Sequence, residues 1–462
     1  MKQLLKTILK PIADFFRKIT YKLMRDVMED LHTSMDNPSS APIARIPVCE
    51  DEYLRIMFLF QMASFWPGWE TFYQACLDDP RIIVKFAFLD ELHGDITQML
   101  TAKTFLDEKQ IPYEVYSDRL FNCFQPHVLV MQTPYDYGHR KAHVRSSAFY
   151  RKGTRIVYIP YGIELSDTAH ARDAHFCNAV VMNAWRVFTF SERMREDYHR
   201  YCSNSIAVKC LGHPKFDTLY HKEKLACLPE IAKKAAGRPI YVWHVHFPKI
   251  TPQPDGSGIM VTPWLEEYVA FAKYAIEQKD LFFVLQPHPK FLDGEGDLGV
   301  KARKIVDMMS AADNACVDWS DDYRNTILNC DYFITDRSAL MVEAATAQVP
   351  ILYRSNKDYY EPLTAAVAPL VESYYQGTGV EDMKRFVQQC RAGEDPRKAE
   401  REQAFRDTIP YFDGKSGWRI KEHIVDALYA ERESDVQNQL RELRQQVAEL
   451  NARLDELNAR QQ

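Results

Sequence analysis

At 462 residues the chain is long for one hydrophobic core and calls for two domains with appended ends. Its 46% hydrophobic and 26% charged residues are those of a soluble globular protein, and a net charge of -6 leaves no electrostatic case for wholesale nucleic-acid binding. Ten cysteines without a CxxC pair argue against a zinc ribbon or a disulfide framework, and for free thiols in a reducing cytoplasm.

The first element is MKQLLKTILKPIADFFRKITYKLMRDVMEDL, within residues 1–40. Leu4, Leu5, Ile8, Leu9, Ile12, Phe15, Phe16, Ile19 and Leu23 recur at helical spacing, with Lys and Arg filling much of the remainder. Such an amphipathic helix, kinked at Pro11, either lies in the headgroup plane of an anionic bilayer or packs on its own domain. No run approaches the roughly 20 apolar residues of a membrane span, so the body is expected to be cytoplasmic, with a possible peripheral place at the inner face of the cell membrane.

After the joint NPSSAPIARIP, short apolar strands alternate with helical segments through residues 45–235: YLRIMFLF (53–60), RIIVKFAF (81–88), HVLVMQ (127–132), TRIVYIP (154–160), RVFTFS (186–191) and IAVKCLG (206–212). Alternation of this kind predicts a parallel sheet covered on both faces, a Rossmann-like domain. A second series over residues 236–428 contains PIYVWHVH (239–246), LFFVLQPH (281–288), DYFIT (331–335) and PILY (350–353), and predicts a second Rossmann-like domain. Two such α/β domains in tandem face each other across a cleft lined by strand C-termini. In the tail, residues 432–462, Val436, Leu440, Leu443, Val447, Leu450, Leu454 and Leu457 alternate at four- and three-residue steps. This heptad seam predicts a short coiled coil and homo-oligomerisation, or else an exposed amphipathic helix.

The stretch DYFITDRSALMVEAATAQVPILY carries the first chemical signal. Its strand ends at the turn Asp336-Arg337-Ser338, where Ser338 can cap a helix beginning near Ala339 and present N–H groups to an anion such as a pyrophosphate. Glu343, about one and a half turns further, is placed to accept hydrogen bonds from ribose hydroxyls. In LQPHPKF, His288 is held extended by Pro289 and stands beside Lys290, a setting for phosphate binding or proton transfer. WHVHFPK adds His244, His246 and Lys249, while IPYGIELSD and LGHPKFD contribute Tyr161, Glu164, His213, Lys215 and Asp217. None of these is a metal motif, so a metal-free site with no cofactor is expected.

LGHPKFD, QPHP and DYFITDRSALMVEAATAQVPILY together resemble, over roughly residues 125–365, the CDP-glycerol glycerophosphotransferase family of teichoic-acid and capsule polymerases. The resemblance implies a GT-B architecture in which His288 and Ser338 bind the donor pyrophosphate, Asp336 supports the turn and Glu343 meets the donor ribose; His244, His246, Lys290, Arg337 and Ala339, at the same strand ends and turn, are expected to complete the donor site. It places His213, Lys215 and Asp217 at the domain junction. The family's His-Gly pair, whose histidine activates the acceptor hydroxyl, is Tyr161-Gly162 in this chain, so Glu164, His139 or His288 is expected to supply the catalysis. The implied reaction moves a polyol-phosphate or sugar from a nucleotide-activated donor to a glycan or lipid-linked acceptor at the cell surface. Two other readings stand beside it: a nucleotide-sugar epimerase or hydrolase of the same build, and a non-catalytic assembly protein of a glycan-synthesis complex.

Overall fold

Leu54–Phe60 reads LRIMFLF, and all but one of its side chains are buried. A strand covered on both faces by helices needs such a continuous apolar run, which is why it forms the centre of a parallel sheet. The computed structural model describes residues 44–49, 52–90, 96–137, 140–252, 258–320, 322–359 and 361–461. The expected N-terminal amphipathic helix and His139 lie outside the described residues.

The first domain carries β1 (Leu54–Phe60), β2 (Ile82–Phe88), β3 (Glu114–Val115), β4 (Val128–Met131), β5 (Arg155–Tyr158), β6 (Ala184–Thr189) and β7 (Val208–Cys210). They are ordered β3-β2-β1-β4-β5-β6-β7, and every pairing is parallel. The second domain carries β8 (Ile240–Val245), a small antiparallel ribbon of β9 (Ile250–Pro252) and β10 (Gly258–Met260), then β11 (Phe282–Pro287), β12 (Ala315–Val317), β13 (Tyr332–Thr335), β14 (Ile351–Arg354) and β15 (Tyr375–Gly377). Its main sheet is also parallel, in the order β12-β11-β8-β13-β14-β15. In each sheet the order reverses beside the first strand, β1 or β8, and the cleft opens at those carboxyl ends. The longer strands coincide with the apolar runs read from the sequence, whereas β3, β12 and β15 are edge strands of two or three residues and carry little pattern.

The helix Ser416–Gln461 returns from the second domain to the first. Its Ile420, Ile424, Val425 and Leu428 join the core that contains Phe58, Phe72, Trp185 and Phe188. Asp217 receives the start of this helix, accepting the Ser416 and Gly417 N–H groups at 2.9 and 2.8 Å and the Thr71 hydroxyl at 2.7 Å. A Cβ at Gly417 would come within 2.4 Å of the Phe72 nitrogen, so the close approach of helix to helix requires glycine there. By packing, residues 416–428 therefore belong with the first domain and not with the second, where the expected boundary at 428 had put them. Glu431 is the last strong anchor, accepting from Arg155 Nε and Trp185 Nε1, each at 2.7 Å. Beyond it Val436, Leu440, Leu443, Val447 and Leu450 are exposed on a continuous helix. Among the described residues no helix is long and apolar enough to cross a membrane.

Candidate active site in the interdomain cleft

Loops after β5, on one side, and after β8, β13 and β14, on the other, enclose about 200 Å³. The first domain lines this cleft with Tyr161, Glu164 and His175; the second lines it with His246, Lys249, Arg337, Ser338 and Ala339.

On the second-domain side, Asp336 fixes the backbone. It is fully buried, accepts the His246 N–H at 2.9 and 3.1 Å, and accepts the Tyr268 hydroxyl at 2.8 Å. Burial pushes its carboxyl up to about 7. These bonds tie the end of β8 to the turn after β13, so Asp336 supports the turn from behind. Arg337 clamps the domains together: Nη2 donates to Ser166 Oγ at 2.9 Å and Leu165 O at 3.2 Å, and Nη1 donates to Glu361 O at 2.7 Å. A second clamp is main-chain, from Thr364 N to Leu165 O at 2.9 Å and from Asp167 N to Pro362 O at 3.0 Å.

Ser338 Oγ accepts the Leu340 N–H at 3.3 Å in a local turn, but the residue at the N-cap is Ala339, which has no side-chain cap, so the expected capping by Ser338 is corrected. The helix that follows, Leu340–Ala344, has five residues and tightens into a 3-10 turn over Ala345–Ala347. Gln348 then adopts φ 60°, and Pro350 follows, so the Ala-rich stretch cannot continue as the expected longer helix. Its macrodipole is correspondingly short, and Ser338 and Ala339 face the cleft mainly as small groups that leave the backbone open.

Glu343, expected to face a ribose, does not line the cleft. It is fully buried, with Oε1 accepting from Lys215 Nζ at 2.8 Å and Oε2 from the Tyr323 hydroxyl at 2.5 Å. A buried carboxylate must be neutralised and bonded, and here the other domain does both. Lys215 thus sits at the domain junction as expected, while Asp217 anchors the C-terminal helix. His213 is also structural: Nε2 donates to Pro160 O at 2.7 Å, Nδ1 accepts the Lys215 N–H at 3.2 Å, and burial lowers its pKa to about 3. It pins the residue that precedes Tyr161.

Of the three expected second-domain histidines, only His246 lines the cleft. His244 is an interior residue of β8, in register with Gln286 and Thr335, and burial lowers it to about 3; the expectation of a donor contact there is corrected. The His288 ring centroid lies 4.8 Å from those of His246 and Phe247, and its Nδ1 accepts the Lys290 N–H at 3.1 Å. That acceptance leaves the proton on Nε2 of a ring that burial keeps neutral, with a pKa lowered to about 3. Lys290 is exposed beside it. Among the described residues no group of three His, Cys, Asp or Glu side chains is arranged to hold a metal ion.

On the first-domain side, the Tyr161 hydroxyl shares a 2.5 Å hydrogen bond with that of Tyr135, and its ring stacks on Phe65 at 4.0 Å. Burial drives the Tyr161 pKa far above the ordinary tyrosine value, so it stays protonated and is no base at neutral pH. Glu164 Oε1 accepts the Ser166 N–H at 2.7 Å, and Oε2 lies 2.9 Å from His175 Nε2. His175 ends the short helix Ala169–His175, capped by Thr168, and sequence reasoning missed it because nothing in SDTAHARDAH distinguishes it from His170.

No family model matches the chain, and no curated protein sequence matches it. Solved structures do. S. aureus MnaA, solved with UDP, aligns with a TM-score of 0.57 at 15% identity over 82% of this chain and 97% of that one. The wall teichoic acid polymerase TagF aligns with a TM-score of 0.54 at 11% identity over 82% and 90%. The UDP-GlcNAc 2-epimerase from Neisseria meningitidis, bound to UDP-GlcNAc, aligns with a TM-score of 0.53 at 13% identity over 80% and 100%. Identities this low establish the fold, which is GT-B-like: two parallel-sheet domains facing a cleft.

Proposed function

We propose that the protein is a GT-B transferase that moves a polyol-phosphate or a sugar from a nucleotide diphosphate donor to a cell-surface glycan or lipid-linked acceptor. The observation that carries this reading is the cleft between the two carboxyl-terminal sheet edges, polar on both sides, with Ser338, Ala339, His246 and Lys249 facing Tyr161, Glu164 and His175. Support also comes from the resemblance of LGHPKFD, QPHP and DYFITDRSAL to the glycerophosphotransferase family, and from structural likeness to proteins solved with UDP, with UDP-GlcNAc and, for TagF, with CDPG.

In this reading the diphosphate lies against the Ser338-Ala339 backbone, with the Lys249 ammonium supplying a donor as negative charge builds on the leaving nucleotide. Asp336 acts by holding the turn. The exposed seam from Val436 onward joins a second copy of the chain as a coiled coil, and residues 1–40 associate with the membrane surface. A thermal-shift screen against CDP-glycerol, CDP-ribitol, CMP- and UDP-sugars tests the central point, since a ligand that binds only the folded state raises its apparent stability. A raised melting temperature for at least one donor, abolished by Ser338→Trp, is expected. No shift with any of them rejects the reading. Nucleotide release that needs no glycan acceptor would instead indicate an epimerase or hydrolase.

A further inference from the structure

The family resemblance puts Tyr161 where the acceptor-activating histidine is expected, yet its buried hydroxyl is bonded to Tyr135 and holds its proton. The cleft offers another group on the same wall. His175 and Glu164 both line it, their side chains 31% and 12% exposed, with Nε2 to Oε2 at 2.9 Å. Glu164 is itself oriented, because its other oxygen is held by the Ser166 N–H. The Glu164 carboxylate at ion-pair distance from Nε2 favours a proton on that nitrogen and leaves Nδ1 to act as the base.

We infer that His175 is the base that activates the acceptor hydroxyl and that Glu164 orients it and stabilises the imidazolium that forms. The inference rests on the transfer reaction proposed above. The acceptor O–H bond breaks as its proton passes to His175 Nδ1. The acceptor oxygen forms a bond to the donor's phosphorus, or to the anomeric carbon of a sugar donor. The bond from that atom to the nucleotide phosphate breaks, and the nucleotide leaves with the electron pair; His175 then returns its proton to solvent.

A purely structural ion pair is a poorer account. The helix that ends at His175 is already anchored by Arg172 to Asp167 at 2.8 Å and by its Thr168 cap. The competing groups are committed elsewhere: Glu361 pairs with Arg337, and His246, facing Lys249 and lacking a carboxylate on its ring, has its pKa lowered to about 4. From the packed elements, Tyr135, Tyr161, Tyr198 and the Arg337–Glu361 pair also face the dyad.

Nucleotide release from CDP-glycerol and from UDP-N-acetylglucosamine that depends on an added lipid-linked glycan acceptor, measured between pH 5 and 9, tests the inference. His175→Gln is expected to lower the rate about 100- to 1,000-fold and to abolish the acidic limb of the pH profile, while the melting-temperature rise on adding CDP or UDP is unchanged. Glu164→Gln is expected to reduce the rate about tenfold; exposed His170→Gln is the silent control. A His175→Gln enzyme within threefold of wild type, with its acidic limb intact, overturns the assignment. Absence of release by wild type would reject the transfer reading itself. 15N NMR of the imidazoles decides the dyad separately: Glu164→Gln should erase the preference of the His175 proton for Nε2, and an unchanged tautomer signature overturns the pairing.

Discussion

Lys215→Met removes the cation from a buried carboxylate that joins the two domains. Glu343 has a side chain 1% exposed and Lys215 one 7% exposed, and only the Tyr323 hydroxyl would remain to bond the carboxylate. Breaking a buried pair from one side typically costs about 3–5 kcal/mol, because an uncompensated charge is left in a low-dielectric interior. The double variant Lys215→Met/Glu343→Leu replaces both charges with apolar groups of similar length and should recover most of that loss, to within about 1–2 kcal/mol of the parent. Urea denaturation of the parent, both single variants and the double variant measures the coupling. A single-variant loss below about 1 kcal/mol, or a double variant no more stable than Lys215→Met, would refute the reasoning that the pair is buried and mutually dependent.

Further outcomes follow from the same geometry. His213 and His244, each buried with its pKa lowered to about 3, are neutral in the folded protein and take up protons on unfolding below about 6.5, so each removes stability as pH falls from 6.5, at about 1.4 kcal/mol per pH unit. Asp336, raised to about 7, acts in the opposite sense, because the folded state holds its proton between its usual range and 7. His127, His246 and His288, lowered to about 4, 4 and 3, act in the same sense as His213 and His244, so the histidines outweigh Asp336 and stability should fall between pH 7 and 5; stability that is flat or rising over that interval would contradict it. Asp217→Ala leaves the Ser416 and Gly417 N–H groups unpaired, and limited proteolysis should then release the C-terminal helix faster than from the parent. Ending the chain after Arg432 should convert an oligomer to a monomer in sedimentation without lowering nucleotide release, since the seam lies beyond the last contacts with the body.

Most of the two-domain fold was legible, because a strand buried on both faces must be written as an apolar run, as in LRIMFLF and FFVLQP. The return of the C-terminal helix was not: Ile420, Ile424, Val425 and Leu428 have ordinary helical spacing, and only the tertiary partners Asp217 and Phe72 show which domain they serve. Glu343 illustrates a second limit. Its helical position was readable, but its partner Lys215 is 128 residues away, and a pattern along one element does not say what faces it. The same limit separates His246 from His244: a period of two would put both on one face, but β8 ends at Val245, so His246 belongs to the loop that lines the cleft while His244 stays inside the sheet. His175 was unreadable for a related reason, since its meaning comes from Glu164 across a loop.

The most direct measurement is a crystal structure with CDP-glycerol, or with UDP-N-acetylglucosamine if the thermal shifts favour it. The account predicts the diphosphate against the Ser338-Ala339 backbone and the transferred group pointing toward Tyr161 and His175. A nucleotide bound outside this cleft, or one seated with its transferred group turned away from the first domain, would contradict it.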